Sequence, residues 1–184
     1  ASLASAPVCK LVTKVKRGFA EALMTEVLSP GPNRVEAACA HFGTCGGCRF
    51  QHIAYPAELR LKRGIVEECL SRQGGFALEA PPVLASPREY GYRRRVRLRF
   101  ESGRMGYFEE GGREFVPLLH CLLARPEIDM ALPSLLGLAR REKWGEAEIA
   151  LGDDGSITAV ADKKHGRRTY ILEGETWTPA PRPM

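Results

Sequence analysis

The chain has 184 residues, 44% of them hydrophobic and 27% charged, with a formal net charge of +5 and a pI near 9.0. These proportions exclude wholesale disorder, and the length allows a real core in one main domain with an appendage. No apolar run approaches the ~20 residues that span a bilayer and no signal peptide opens the chain, so we expect a soluble, cytoplasmic protein with no membrane partner.

Residues 1–7 read as a loose leader, and a start at Ala1 in place of Met implies a chain processed or cut from something longer. Over residues 9–28 the recurrence of Leu11, Val15, Phe19, Leu23 and Val27 predicts one or two strands, closed by the turn signal Ser29-Pro-Gly-Pro-Asn33. A glycine-rich loop follows, Cys39-Ala-His-Phe-Gly-Thr-Cys45-Gly-Gly-Cys48, with neither helical nor strand period. Pro56 then suits the first turn of a helix whose apolar stripe is Leu61, Ile65, Val66, Cys69 and Leu70, whose charged residues face solvent, and which Gly74-Gly75 stops.

In residues 92–100, Val96, Leu98 and Phe100 alternate strictly with Arg95, Arg97 and Arg99, the pattern of a half-buried strand. Residues 104–108 and 113–116 complete a hairpin, and His120 and Cys121 follow at once. A second helix is expected from Arg125 or Pro126 to about Glu142, with Ile128, Leu132, Leu135, Leu136 and Leu138 as its stripe despite Pro133. Residues 147–151, 157–162 and 167–172 predict three further strands before a Pro-rich end. The fold class is therefore α+β, a mostly antiparallel sheet with two packed helices and the cysteine loop at one edge.

Six cysteines could form three disulfides, but three of them crowd into ten residues, which favours a metal centre. Cys45 and Cys48 stand at the spacing that lets two thiolates bite one centre, and Gly46 and Gly47 permit close approach of backbone amides to sulfur. Spacing alone leaves an iron-sulfur cluster, zinc and purely structural cysteines open. The fourth ligand must come from Cys9, Cys69, Cys121, His41 or His52. Cys69 reads as a small hydrophobe on a helix, Cys9 lies near the loose leader, and His52 suits orienting the loop. Cys121 is preferred, because the hairpin before it can carry it back to the loop.

Alternate residues of a strand lie about 6.8 Å apart, so Arg93, Arg95, Arg97 and Arg99 form a row about 20 Å long, close to the repeat of an extended nucleic-acid backbone. Arginine suits planar, bidentate contact with phosphate, and Tyr92, Tyr107 and Phe108 could stack bases or serve as core. Acidic neighbours such as Glu101, Glu109 and Glu110 would instead make the row an ordinary solvated face. Lys163, Lys164, Arg167 and Arg168 form a second basic cluster at a predicted turn.

Taken together, the run from Arg34 through Cys39, Cys45-Gly-Gly-Cys48 and Gln51-His52 resembles the cluster motif of the RNA uracil-5 methyltransferases that carry a [4Fe-4S] centre. Lys62 in the helix, Tyr92-Arg93, Gly106-Tyr-Phe and Cys121 fall in that family's order. The resemblance covers about residues 10–178 and is of the type acting on 23S rRNA. It implies that Cys39, Cys45, Cys48 and Cys121 hold a [4Fe-4S] cluster. It further implies that residues 1–38 end an RNA-binding TRAM domain, that 39–178 form the central cluster-containing RNA-binding domain, and that 179–184 are a Pro-rich end.

The family's methyltransferase domain, which binds S-adenosylmethionine and carries the catalytic cysteine, is expected to be absent. No Gly-x-Gly loop at a strand-to-helix junction and no match to the nucleophile occurs, so no catalytic or S-adenosylmethionine-binding residue is assigned. The expected role is cluster binding and RNA recognition, rRNA before tRNA, by a monomer within a methyltransferase, with a structural cluster. The alternatives are a free-standing iron-sulfur electron carrier or redox sensor, and a zinc-bound RNA-binding module.

Overall fold

A computed structural model describes residues 8–163 and 166–181. The leader, Lys164 of the second basic cluster, the Lys163 side chain and the last three residues of the Pro-rich end lie outside the described residues. The chain divides into two compact units, residues 1–37 with 50–85, and residues 38–49 with 86–184.

In the first unit β1 (Val8–Lys16) and β2 (Phe19–Val27) pair antiparallel as a two-stranded sheet, turning at Gly18, whose φ of 91° belongs to the left-handed region. Leu11, Val15, Phe19 and Leu23 are all more than half exposed. The predicted helix is α1 (Tyr55–Gly74), entered through Pro56 and closed by the left-handed Gly75, whose N–H donates to Ser71 O.

Its buried side differs from the predicted stripe. Ile65 and Val66 are 44% and 49% exposed and Cys69 is exposed, whereas Arg63 and Glu67 are half-buried. The segment after the helix explains this: Glu67 Oε1 accepts the Ala80 N–H at 2.9 Å and Arg63 reaches Glu79 at 2.7 Å. The connection therefore lies along the charged face by polar contacts, while of the apolar stripe Leu61 and Leu70 are half-buried and Ile65, Val66 and Cys69 stay exposed.

In the second unit β3 (Arg95–Glu101), β4 (Arg104–Phe108), β5 (Phe115–Pro117), β6 (Glu146–Leu151), β7 (Ile157–Lys163), β8 (Gly166–Glu173) and β9 (Thr176–Pro179) form one antiparallel sheet, in the order β5-β4-β3-β6-β7-β8-β9. The α+β expectation is met. The β3–β4 turn has positive φ at both central residues, 49° at Ser102 and 71° at Gly103, the mirror-image turn that matches strand twist. One sheet face is buried and the other is open, as is common for antiparallel sheets.

Helix α2 (Pro126–Glu142) covers the buried face with the predicted stripe: Ile128, Leu132 and Leu135 are 0% exposed and pack with Leu98 of β3 and Ile149 of β6 in one core. Trp144 and Tyr170 extend that core, with ring centroids 5.0 Å apart. Strand β9 was not anticipated, because Pro179 and the prolines after it read as irregular chain. At a sheet edge one side of the strand needs no ladder donor, so proline is tolerated there. Among the described residues no helix is long and apolar enough to cross a membrane.

Candidate functional site

The cysteine loop is shaped by short-range backbone bonds: Phe42 N–H to Cys39 O at 3.0 Å and Cys45 N–H to His41 O at 2.9 Å. It is then pinned to the end of β4. Gly46 N–H donates to Phe108 O at 2.9 Å, and Cys45 bridges to Glu109. A Cβ at position 46 would lie 2.9 Å from that same Phe108 oxygen, so the approach requires glycine. Gly47 N–H donates to Cys45 Sγ at 3.4 Å, and an ion pair between Arg49 and Glu110 at 2.8 Å holds the loop's far end.

Cys121 arrives from the other side, just after β5. Its N–H donates to Asp129 Oδ1 at 2.7 Å, and the second Asp129 oxygen meets His120 Nδ1 at 3.0 Å. Asp129, in the first turn of α2, thus orients the approach of Cys121. Sequence reasoning missed it; the signal was an acid at a helix start eight residues after the cysteine.

Cys45 and Cys121 are both half-buried against the main core. Burial pushes the Cys45 thiol up, the Gly47 N–H favours its thiolate, and Cys121 and Cys39 both act on it electrostatically. The structure therefore brings Cys39, Cys45 and Cys121 into one neighbourhood, with half-buried Cys48 three residues beyond Cys45. Among the described residues, no group of three His, Cys, Asp or Glu side chains is arranged to hold a metal ion. Cys9 and Cys69 belong to the other compact unit, in β1 and on the exposed side of α1. His52 is also there, its carbonyl taking the Val35 N–H at 3.0 Å.

Two further side chains complete the neighbourhood. Tyr107 of β4 places a buried hydroxyl with no hydrogen-bonding nitrogen or oxygen beside the thiols; burial first, then Cys121, pushes it above the ordinary phenol range. Arg93 donates Nη2–H to Gly47 O at 3.1 Å. Burial works against its charge, but Tyr92, Tyr107 and Cys121 more than offset this and raise its value. Backbone N–H aimed at sulfur, a buried hydroxyl beside the thiols and a charged guanidinium make a setting suited to a group ligated by several thiolates, whose sulfurs take such hydrogen bonds.

Arg95, Arg97 and Arg99 alternate outward on β3, as predicted. Their partners are the carboxylates of the neighbouring strand. Glu148 meets Arg95 at 3.3 Å and Arg97 at 3.2 Å, and Glu146 meets Arg97 at 3.3 Å and Arg99 at 2.6 Å. Three cations thus stand over two carboxylates, neither of which was among the acidic neighbours named from sequence. Arg93 stands at the inner end of the row, before β3 begins, with its guanidinium engaged by the cysteine loop. Phe108 and the Gly46-Gly47 turn border a cavity of about 620 Å³ with Arg93, Arg95 and Arg97.

Tyr92 is 47% exposed and lies 5.9 Å from the Arg93 guanidinium. Arg94 caps Gly152 O at 2.7 Å on the opposite side of the strand. In the second basic cluster, Arg167 pairs with Asp162 at 2.9 Å and Arg168 lies over the Tyr170 ring.

No protein-family model matches the chain. Over 156 residues, 79% of its length, it is 35% identical to a protein of Photorhabdus laumondii named 23S rRNA (uracil(1939)-C(5))-methyltransferase RlmD. It is 35% identical over 154 residues to the protein of that name from Nitrosococcus oceani, and 36% identical over 126 residues to an uncharacterized RNA methyltransferase of Aquifex aeolicus. The aligned stretches are 35%, 34% and 29% of those proteins, so the chain spans about a third of the length of the relatives it matches. Over most of its length the chain is thus similar to about a third of proteins named as RNA methyltransferases, among them 23S rRNA uracil-5 methyltransferases.

Proposed function

We propose that this chain is the part of a uracil-5 RNA methyltransferase that holds a [4Fe-4S] cluster on Cys39, Cys45, Cys48 and Cys121 and engages RNA, ribosomal RNA before transfer RNA, through the open face of β3. The observation that carries the reading is the meeting of the Cys45-Gly-Gly-Cys48 turn with Cys121 beside Arg93, in a relative of proteins named for 23S rRNA. None of its residues is assigned a part in methyl transfer or in binding S-adenosylmethionine, which fall to the remaining two thirds of such a protein.

A bound cluster would supply a cross-link between the loop and the segment after β5, with binding free energy acting as folding free energy. The remaining work falls to protein groups. Gly47 N–H and the Tyr107 hydroxyl donate toward sulfur, Arg93 offsets negative charge, and Asp129 holds the Cys121 backbone.

On the open face, Glu146 and Glu148 hold the three guanidinia in an extended row while leaving each with unused donors, since an arginine offers five N–H groups. A phosphate backbone can share those donors.

The chain purified under anaerobic conditions is expected to carry about four iron and four sulfide per molecule and to bind single-stranded RNA with an affinity that falls as salt rises. Stoichiometric zinc without iron would select the zinc-module reading. Reversible reduction without RNA affinity would select an electron carrier.

A further inference from the structure

A second cavity, of about 590 Å³, opens in the same compact unit between the start of the cysteine loop, β4 and α2. Its floor is apolar: Met105, Leu118 and Leu136 are 1%, 6% and 7% exposed. Its mouth carries two guanidinia, Arg104 and Arg140, and two imidazoles, His41 and His120, and no carboxylate lines it. Of the four cysteines only Cys39 borders it.

Three of the four polar groups at the mouth have partners. Arg140 Nε donates to Gly103 O at 2.7 Å, His120 Nδ1 meets Asp129 at 3.0 Å, and Arg104 lies 5.8 Å from the centre of the Phe115 ring. Among the described residues neither arginine is ion-paired, whereas Arg95, Arg97 and Arg99 all share carboxylates. Arg104 and Arg140 thus stand beside a concave apolar surface without a carboxylate partner, unlike the three arginines of the row.

We propose that this cavity receives one unstacked base of a bound RNA strand, with the phosphates on either side of that base held by Arg104 and Arg140. The inference rests on the RNA reading above. Single-stranded RNA is recognised by splaying bases out onto flat side chains, and imidazole rings and guanidinium planes serve as such surfaces. The size falls within the usual range for small-ligand cavities, about 300–1,000 Å³. The base leaves water for the Met105–Leu118–Leu136 floor, and its polar edge faces His41 and His120. A phosphate chain would meet at the rim two arginines that share no carboxylate, whereas an acidic protein segment could use those cations but would leave the apolar floor empty.

The test uses the anaerobically purified intact chain and a single-stranded oligouridine of about 12 nucleotides, compared with a sugar-phosphate oligomer of equal charge that lacks bases. A 4-thiouridine version is photo-crosslinked and its attachment mapped by mass spectrometry. Crosslinks within residues 38–41 or 117–122, with about tenfold tighter binding of the base-bearing oligomer, are expected. The Arg104→Gln/Arg140→Gln variant is expected to lose those crosslinks and to lower the slope of log affinity against log salt by about two. Crosslinks confined to the strand of Arg95, Arg97 and Arg99, or equal binding of the two oligomers, would overturn the base site while leaving the RNA reading intact. Failure of both oligomers to bind the unmodified chain would overturn the RNA reading and this inference with it.

Discussion

The Arg93 guanidinium donates to the Gly47 carbonyl oxygen at 3.1 Å, across 46 positions of sequence. The backbone of the same residue is tied to the stretch after Cys121: its N–H donates to Leu123 O at 2.8 Å and its carbonyl accepts the Arg125 N–H at 2.9 Å. One residue therefore links the turn between Cys45 and Cys48 to the segment that delivers Cys121. Side chain and main chain act on opposite halves of the cysteine set.

Removing that side chain frees the turn while leaving the backbone pairing in place. Arg93→Ala is expected to cost about 1.5 kcal/mol, the lower end for a hydrogen bond from a charged donor because the group is half exposed, and to lower retained iron. Arg93→Lys restores the charge but not the planar fork, so it should recover part of both. Denaturant unfolding and iron per chain measure the two effects. Wild-type values in Arg93→Ala would show that the contact holds nothing.

The six cysteines divide by environment. Cys121→Ser is expected to abolish stable iron binding, whereas Cys69→Ser, on an exposed helix surface, should leave iron content and melting temperature unchanged. Parallel iron analysis after anaerobic purification checks this. Equal loss in both variants would count against Cys121 as the fourth ligand.

Glu148 contacts Arg95 and Arg97 together, so its removal should strengthen RNA binding. Glu148→Gln uncovers cations without altering the β3–β6 pairing, and both affinity and its salt dependence are expected to rise. Arg95→Glu with Arg97→Glu should do the reverse. Exposed pairs of this kind contribute about 0.2–1 kcal/mol to stability, so both proteins should remain folded. Fluorescence anisotropy at several salt concentrations gives the answer; unchanged affinity in both would remove the β3 face from the RNA interface.

His52 is held below its ordinary imidazole value, first by burial and then by the Arg34 charge. The unfolded chain takes up its proton near pH 6.5, and the folded chain does so only at lower pH. This contribution to stability is therefore present above about pH 6.5 and is lost as pH falls through the folded value. Urea midpoints recorded from neutral to mildly acidic pH should show a fall that His52→Gln flattens. An identical pH profile for the two proteins would sink the assignment.

Elements with a strong local period were legible in the sequence. The strict alternation around Val96 and Leu98, and the spacing of Ile128, Leu132 and Leu135, each name one buried face because every partner lies on the same side. What escaped depended on distant partners. Nothing near Arg97 reveals that Glu146 and Glu148 lie beside it, since register between β3 and β6 is set only when α2 packs beneath them. The covered side of α1 was misjudged for a related reason: its polar contacts with Glu79 and Ala80 come from a segment with no periodicity. At the cysteine loop, residue spacing named the candidate ligands, but Asp129, Tyr107 and the engagement of Arg93 with Gly47 became visible only in the folded chain.

Strand β9 supplies the sharpest case of structure that composition concealed. Trp177, 7% exposed, closes the end of the core, and its Nε1–H donates to Ser134 Oγ at 3.0 Å, joining the edge strand to α2. Trp177→Ala would remove a large buried ring, leave a cavity and strip a partner from the Ser134 hydroxyl, for an expected loss of about 3–5 kcal/mol. Trp177→Phe keeps most of the volume and loses only the donor, so about 1 kcal/mol is expected. Denaturant unfolding of both variants separates packing from hydrogen bonding. If the alanine variant lost no more than the phenylalanine variant, β9 would be a dispensable appendage; the predicted gap between them makes it the seventh strand that the core requires.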